Sequence, residues 1–210
     1  MPLLCKYDEC GVSVAVWELR ETSEELAAMI GNEALYSYAQ EHFSSESRRC
    51  EWLAVRLLLS QILGSSVIIE YTSSGRPFIA GGREISISHT KKYAVLALSY
   101  TTPVGVDIEM RSRSTQKTRS RFMSDRELNA IGDADAELVS LIHWSVKESL
   151  FKICGNLGGN FRDNIFVEPF VPAESGCLNL SISGLGMHDA HFSATYHVND
   201  DYILTLCMKC

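Results

Sequence analysis

The sequence predicts an α+β chain of two lobes, each of roughly 100 residues, on three observations. Helix-patterned segments followed by strand-patterned segments occur twice along its 210 residues. Each half holds one strong helix signal, "SSESRRCEWLAVRLLLSQILG" in the first and "ADAELVSLIHWSVKESLFKICG" in the second. Hydrophobic residues make up 46% and charged residues 21%, which supports a sizeable core without disulfide or metal staples. The lobes are expected at residues 1–102 and 103–210.

The first element is a strand at "VSVAVWEL", residues 12–19, where apolar positions recur along the run. "TSEELAAMIG" follows with an N-cap at Thr22 or Ser23, acids in its first turn and Gly31 at its end, all helix signals. "EALYSYAQEHF" reads as a second helix. The third is capped at Ser44 or Ser45, carries Trp52, Leu53, Val55, Leu58, Leu59 and Ile62, and stops at Gly64. Strands are then expected at "SVIIEYT", at a hairpin-like pair within "TSSGRPFIAGGREISIS", and at "YAVLALSY", whose near-continuous apolar run predicts burial on both faces.

The second half opens with the strand "VGVDIE" and a basic loop. "SDRELNAIG" is a short helix capped by Ser124, and the long helix spans about 135–153. Four strands close the chain, at "NIFVEPF", "CLNLSIS", "AHFSATYHV" and "YILTLCMK".

Net charge is −7, which disfavours a general nucleic-acid binder. "RSRSTQKTRSR", Arg111 to Arg121, holds five basic residues and no acid, so the remainder carries −12. Such a run is ordinarily a solvated loop, and its Ser/Thr-rich composition predicts mobility. No apolar run approaches the ~18 residues of a membrane span, and the start "MPLLCKYDEC" lacks the pattern of a signal peptide. A cytoplasmic protein is expected. Of seven cysteines, Cys207 and Cys210 have CxxC spacing, and Cys5 and Cys10 offer two further thiols for zinc. A CxxC at one chain end without a second is a weak metal signal. "HDAH" (His188, His191) is weaker still and fits a turn before a strand.

Three motifs carry chemistry. In "PVGVDIE" the two-residue period of a strand puts Asp107 and Glu109 on one face and Val106 and Ile108 on the face toward the core. Adjacent carboxylates call for a cation, and Mg²⁺ suits one or two of them with positions left for water and phosphate. A solvent-facing edge with two acids is the plainer alternative. In "WSVKESLFK" helical spacing aligns Trp144, Glu148 and Lys152, with Ser145 and Ser149 beside them. That alignment is either a surface ion pair or a third metal carboxylate with a phosphate-binding lysine. In "GRPFIAGGREISISHT", Arg76, Ser88 and His89 would suit a polyanion, although a histidine at a strand end commonly satisfies a local hydrogen bond.

Taken together, "GRPFI…ISISHT", "GVDIE" and "WSVKESLFK", in this order and at these separations, resemble the 4′-phosphopantetheinyl transferase family, most closely its monomeric two-lobed Sfp type. The resemblance implies a pseudo-twofold pair of α/β lobes, each with helices on a mostly antiparallel sheet, and coenzyme A in the cleft between them. It implies transfer of 4′-phosphopantetheine from coenzyme A to a serine of an apo acyl or peptidyl carrier protein, releasing adenosine 3′,5′-bisphosphate. Asp107, Glu109 and Glu148 match the family's Mg²⁺ ligands. Lys147 and Lys152 match lysines near the coenzyme A phosphates, Ser88 and His89 a pair that contacts coenzyme A, and Arg76 a basic residue beside the nucleotide. Arg48 and Arg49 are candidates for a further nucleotide contact, with Arg49 preferred. The mechanism expected on this basis has Glu148, or a water on the metal, accept the serine proton, Asp107 act through the metal, and Lys152 stabilise the leaving bisphosphate with His89 and Lys147 assisting. The resemblance also implies carriers that are acidic around the modified serine, which makes Arg111–Arg121 the expected docking segment. The alternatives are a non-catalytic coenzyme A or carrier-binding protein and another Mg²⁺-dependent pyrophosphate hydrolase.

Overall fold

Each half of the chain lays its helices on an antiparallel sheet. The computed structural model describes residues 3–65, 67–132, 135–155, 160–183 and 190–209. His188 and Cys210, invoked above for metal binding, lie outside them. The described chain divides into two compact units, 1–101 and 102–210.

In the first unit the strands are β1 (Leu3–Glu9), β2 (Val12–Glu18), β3 (Glu70–Tyr71), β4 (Pro77–Ile79), β5 (Arg83–His89) and β6 (Tyr93–Ser99). They form one sheet in the order β1-β2-β6-β5-β4-β3, and every pair is antiparallel. β1 was not expected, because Lys6, Asp8 and Glu9 interrupt any apolar run. It is an edge strand of alternating exposure, joined to β2 by Cys10 and Gly11, both at positive φ. Two such residues are the signature of a tight hairpin turn. The strand expected at "SVIIEYT" shrinks to Glu70–Tyr71. Its partner β4 is three residues long and begins with Pro77, which has no N–H to give the ladder.

The helices are α1 (Ser23–Ile30), α2 (Glu33–His42) and α3 (Glu46–Leu63). Thr22 caps α1 in a capping box with Glu25, and Ser45 caps α3, which ends at Gly64 in the left-handed region. Leu53, Ala54, Leu57 and Leu58 of α3 pack with Ala15, Trp17, Ile85, Leu96 and Leu98 of the sheet. β6, flanked by β2 and β5, is buried along its whole length.

In the second unit the strands are β7 (Val104–Met110), β8 (Ile165–Val167), β9 (Ser175–Ile182), β10 (Ala190–Val198) and β11 (Tyr202–Lys209), in the order β7-β11-β10-β9-β8. The helices are α4 (Asp125–Asn129), α5 (Ala136–Cys154) and α6 (Phe161–Asn164). Asp135 caps α5 by accepting from the N–H groups of Glu137 and Leu138. Leu141, Ile142, Val146 and Leu150 of α5 meet Leu180, Phe192, Ala194, Ile203 and Cys207.

The two units share one topology. In each, an opening strand (β2 or β7) leads to helices and then to a four-strand meander whose last strand pairs with the opening one. The β1 hairpin is the addition in the first unit. This common order was not detectable as sequence repetition.

Candidate functional site

β7 is enclosed on both faces, and its acids face the helix. Val106 and Ile108 are buried as expected, yet Asp107 is also only 5% exposed. α5 crosses the Gly105–Asp107–Glu109 face, which corrects the expectation that this face points away from the packed side. Gly105 permits the crossing: a Cβ there would lie 1.8 Å from the carbonyl oxygen of Ser149. It is therefore the backbone of α5 that approaches this glycine. Ser145 and Ser149 continue the small-residue seam against Thr205 of β11, with hydroxyl contacts of 2.9 and 2.6 Å.

This close seating brings the two motifs together. Asp107 accepts from Ser145 Oγ at 2.8 Å through Oδ2 and from Lys152 Nζ at 2.9 Å through Oδ1. Lys152 also donates to the carbonyl of Val106 at 2.7 Å. Glu109 Oε1 accepts from Trp144 Nε1 at 2.6 Å and pairs with Arg113. The Arg113 guanidinium lies 4.8 Å from the Trp144 ring centroid, within cation–π range. Burial pushes the Glu148 carboxyl up, and Asp107 and Glu109 push it further, while Lys152 and Arg113 oppose them. Among the described residues no hydrogen bond reaches that carboxylate.

Carboxylates are the donor chemistry that Mg²⁺ takes, and burial first, then the charges of Asp107 and Glu109, push the Glu148 carboxyl up. Asp107 and Glu109 meanwhile hold Lys152, Arg113 and Trp144 as partners. Among the described residues no three His, Cys, Asp or Glu side chains form a ready metal cage. The acids fit the ion in kind, and its binding would require Asp107 and Glu109 to exchange those partners.

Lys147 stands apart from this group. It is fully buried, and its ammonium donates to Glu127 Oε2 at 2.8 Å and to the carbonyls of Phe122 and Phe161 at 2.7 and 3.2 Å. All three donors are used. Burial pushes its pKa down and Glu127 pulls it back. Five residues along a helix turn the side chain by about 140°, so Lys147 and Lys152 cannot serve one ligand from α5. The structure gives Lys147 an internal carboxylate as partner. Glu127 was not singled out in the sequence. Its Oε1 accepts from Val167 N at 2.9 Å and its Oε2 from Ser124 N at 2.7 Å, so the pair ties α4, α5 and β8 together.

The basic run is also tied down, against the expectation of mobility. Thr115 is buried and bonds to Glu137 through its amide at 3.0 Å and its hydroxyl at 3.3 Å. Arg111 donates to the carbonyl of Asn199, and Arg119–Arg121 form a 3₁₀ turn. A cavity of about 240 Å³ lies between this run and the start of α5, lined by residues including Arg111, Arg113, Glu137, Leu138 and Leu141.

In the first unit, Ser88 is buried on β5 and His89 ends the strand. Arg48 Nη1 lies 2.7 Å from His89 Nε2, and Glu51 Oε2 lies 2.7 Å from that Nη1 and 3.4 Å from His89 Nδ1. Arg49 turns away to Glu46 at 2.9 Å and to the carbonyls of Phe43 and Ser44. The arginine brought to His89 is thus Arg48, not the preferred Arg49. Side chains one residue apart on α3 point about 100° apart, and sequence alone does not fix which faces β5. Arg76 pairs with Glu84 across the β4–β5 hairpin.

A sequence profile of the 4′-phosphopantetheinyl transferase superfamily matches residues 103–207, which run from β7 into β11. The chain belongs to that superfamily. Among curated proteins it is 28% identical over 150 residues to the 4′-phosphopantetheinyl transferase HetI of a Nostoc species, covering 63% of this chain and 62% of that protein. It is 29% identical over 136 residues to the L-aminoadipate-semialdehyde dehydrogenase-phosphopantetheinyl transferase of Xenopus laevis, covering 52% and 45%. It is 28% identical over 138 residues to a Bacillus subtilis 4′-phosphopantetheinyl transferase, covering 63% and 59%. The matched parts thus span about half to three fifths of these relatives' lengths.

Proposed function

We propose that this chain is an Sfp-type transferase. It would move 4′-phosphopantetheine from coenzyme A to a serine of an apo acyl or peptidyl carrier protein, releasing adenosine 3′,5′-bisphosphate. The observation that carries the reading is the seating of the Trp144–Glu148–Lys152 side of α5 on Asp107 and Glu109, inside the segment that the superfamily profile matches.

In this reaction the serine oxygen forms a new bond to the β-phosphorus of coenzyme A. The bond from that phosphorus to the bridging oxygen breaks, and its electron pair leaves on the bisphosphate. Such chemistry depends on positioning, charge neutralisation and a proton acceptor. Glu148 is the acceptor we assign, because it stands beside Asp107 and Lys152 and, among the described residues, no hydrogen bond occupies its carboxylate. Lys152 supplies positive charge for the leaving group. Asp107, Glu109 and Glu148 would hold Mg²⁺, which when bound offsets pyrophosphate charge. Arg48, His89, Ser88 and Arg76 are assigned to coenzyme A. The carrier would dock at Arg111–Arg121, whose ordered backbone presents Arg119 and Arg121 without a costly ordering step. A monomer acting in the cytoplasm completes the reading. No described helix is long and apolar enough to cross a membrane.

Incubation with coenzyme A radiolabelled in its pantetheine moiety, Mg²⁺ and an apo carrier tests the proposal. Label on the carrier supports it. Release of free labelled phosphopantetheine with an unlabelled carrier would point instead to hydrolysis.

A further inference from the structure

At the junction of α3 and β5, one nearly buried acid holds two exposed basic groups. The Glu51 side chain is 9% exposed, whereas Arg48 and His89 are 54% and 37% exposed. Glu51 Oε2 accepts from Arg48 Nη1 at 2.7 Å and lies 3.4 Å from His89 Nδ1. Its Oε1 accepts from Ser47 Oγ at 3.3 Å, so the carboxylate is anchored within its own helix. Arg48 Nη1 lies 2.7 Å from His89 Nε2. An arginine only donates, so Nε2 must accept and the ring proton belongs on Nδ1, beside Glu51.

We infer that Glu51 is a positioning residue: directly, and through a His89 ring whose Nε2 takes one Arg48 N–H, it fixes the reach of Arg48, so that the remaining N–H groups of the guanidinium present themselves to a phosphate of coenzyme A. The inference rests on the functional reading above for the identity of the ligand. The geometry supports the division of labour. The two cationic or ring groups reach solvent at the end of β5, and the acid beneath them is shielded from it. Without Glu51, Arg48 loses its anchor and His89 loses the acceptor beside Nδ1. The ring then reverts toward the Nε2–H form, and two side chains must be ordered by the ligand itself.

The test joins nitrogen-15 NMR of the His89 ring in the ligand-free chain with a coenzyme A titration. In wild-type protein the Nδ1–H form should dominate. In Glu51→Ala it should shift toward Nε2–H, and the Kd for coenzyme A should rise roughly tenfold. Glu51→Gln, which keeps an acceptor oxygen, should restore most of both. An Nε2–H ring in the wild-type chain overturns the inference with no variant needed. So does an unchanged Kd in a folded Glu51→Ala chain whose wild type binds coenzyme A. A wild-type chain that fails to bind coenzyme A overturns the ligand assignment, and with it the functional reading, whatever the tautomer.

Discussion

Replacing Gly105 with alanine would put a methyl carbon 1.8 Å from the carbonyl oxygen of Ser149 and 2.8 Å from its carbonyl carbon. To reach the ordinary contact distance of 3.4 Å, that oxygen must retreat by about 1.6 Å. The obstacle is the backbone of a 19-residue helix, so no side-chain rotation relieves it. A rigid retreat of α5 by that distance takes Ser145 and Lys152, now 2.8 and 2.9 Å from Asp107, out of hydrogen-bond range. Overpacking commonly costs 1–3 kcal/mol, and a backbone clash belongs at or above the upper end, about 3 kcal/mol. For a chain of this length that lowers the Tm by about 6–12 °C. Thermal unfolding followed by circular dichroism measures the loss, and the carrier-transfer rate should fall with it. Gly176→Ala is the comparison: its Cβ would meet the Tyr196 ring at 2.7 Å, and a side chain can yield where a helix backbone cannot. A Gly105→Ala chain with wild-type Tm and transfer rate would refute the seating of α5 on β7.

Other perturbations separate structural from chemical roles. Lys147→Ala leaves Glu127 buried without its cation and should cost about 3–5 kcal/mol, read as a loss of denaturant midpoint. Lys147→Met combined with Glu127→Gln should recover part of that loss, and no loss in the single variant would deny the buried pair. His143 is held below its ordinary pKa, chiefly by burial. The unfolded chain therefore takes up the proton first, and stability should fall as pH drops below about 6.5 toward the depressed folded value. Urea midpoints against pH should show that slope in the wild type, and a His143→Asn chain should have a shallower one. Glu148→Gln should lose transfer while keeping its unfolding free energy within about 0.5 kcal/mol of wild type. Charge reversal at Arg119 and Arg121 should raise the carrier KM at low salt and leave coenzyme A binding unchanged. A flat carrier KM would place docking elsewhere.

Much of the site was legible because two periodicities speak directly to geometry. The strand period put Asp107 and Glu109 on one face, and the helix period put Trp144, Glu148 and Lys152 on one side of α5. What alternation does not supply is which strand face a helix will cover. With β7 enclosed on both sides, Val106 and Asp107 are both buried, and only Gly105 signals where another backbone must approach. The buried partner of Lys147 is illegible in sequence for a related reason. Lys147 is next to Glu148 in the chain, but a quarter-turn away around the helix, and its partner Glu127 lies 20 residues upstream in a five-residue helix. A pairing over that separation leaves no local pattern. The same holds for Thr115 and Glu137, which pin a run whose composition resembles a free loop. β1 shows no apolar periodicity because an edge strand can carry charge, though Cys10-Gly11 beside an apolar run is a usable turn signal.

We propose that the acid face of β7 and the Glu148 side of α5 together transfer phosphopantetheine. The most direct test is the intact mass of several apo carriers after incubation with coenzyme A, Mg²⁺ and either wild-type or Glu148→Gln protein. The account predicts that wild-type protein adds one phosphopantetheine to the carrier serine of at least one carrier and that the variant adds none. Equal modification by both would contradict the role of Glu148, and unmodified carriers throughout, with folded wild-type protein present, would contradict the transferase reading itself.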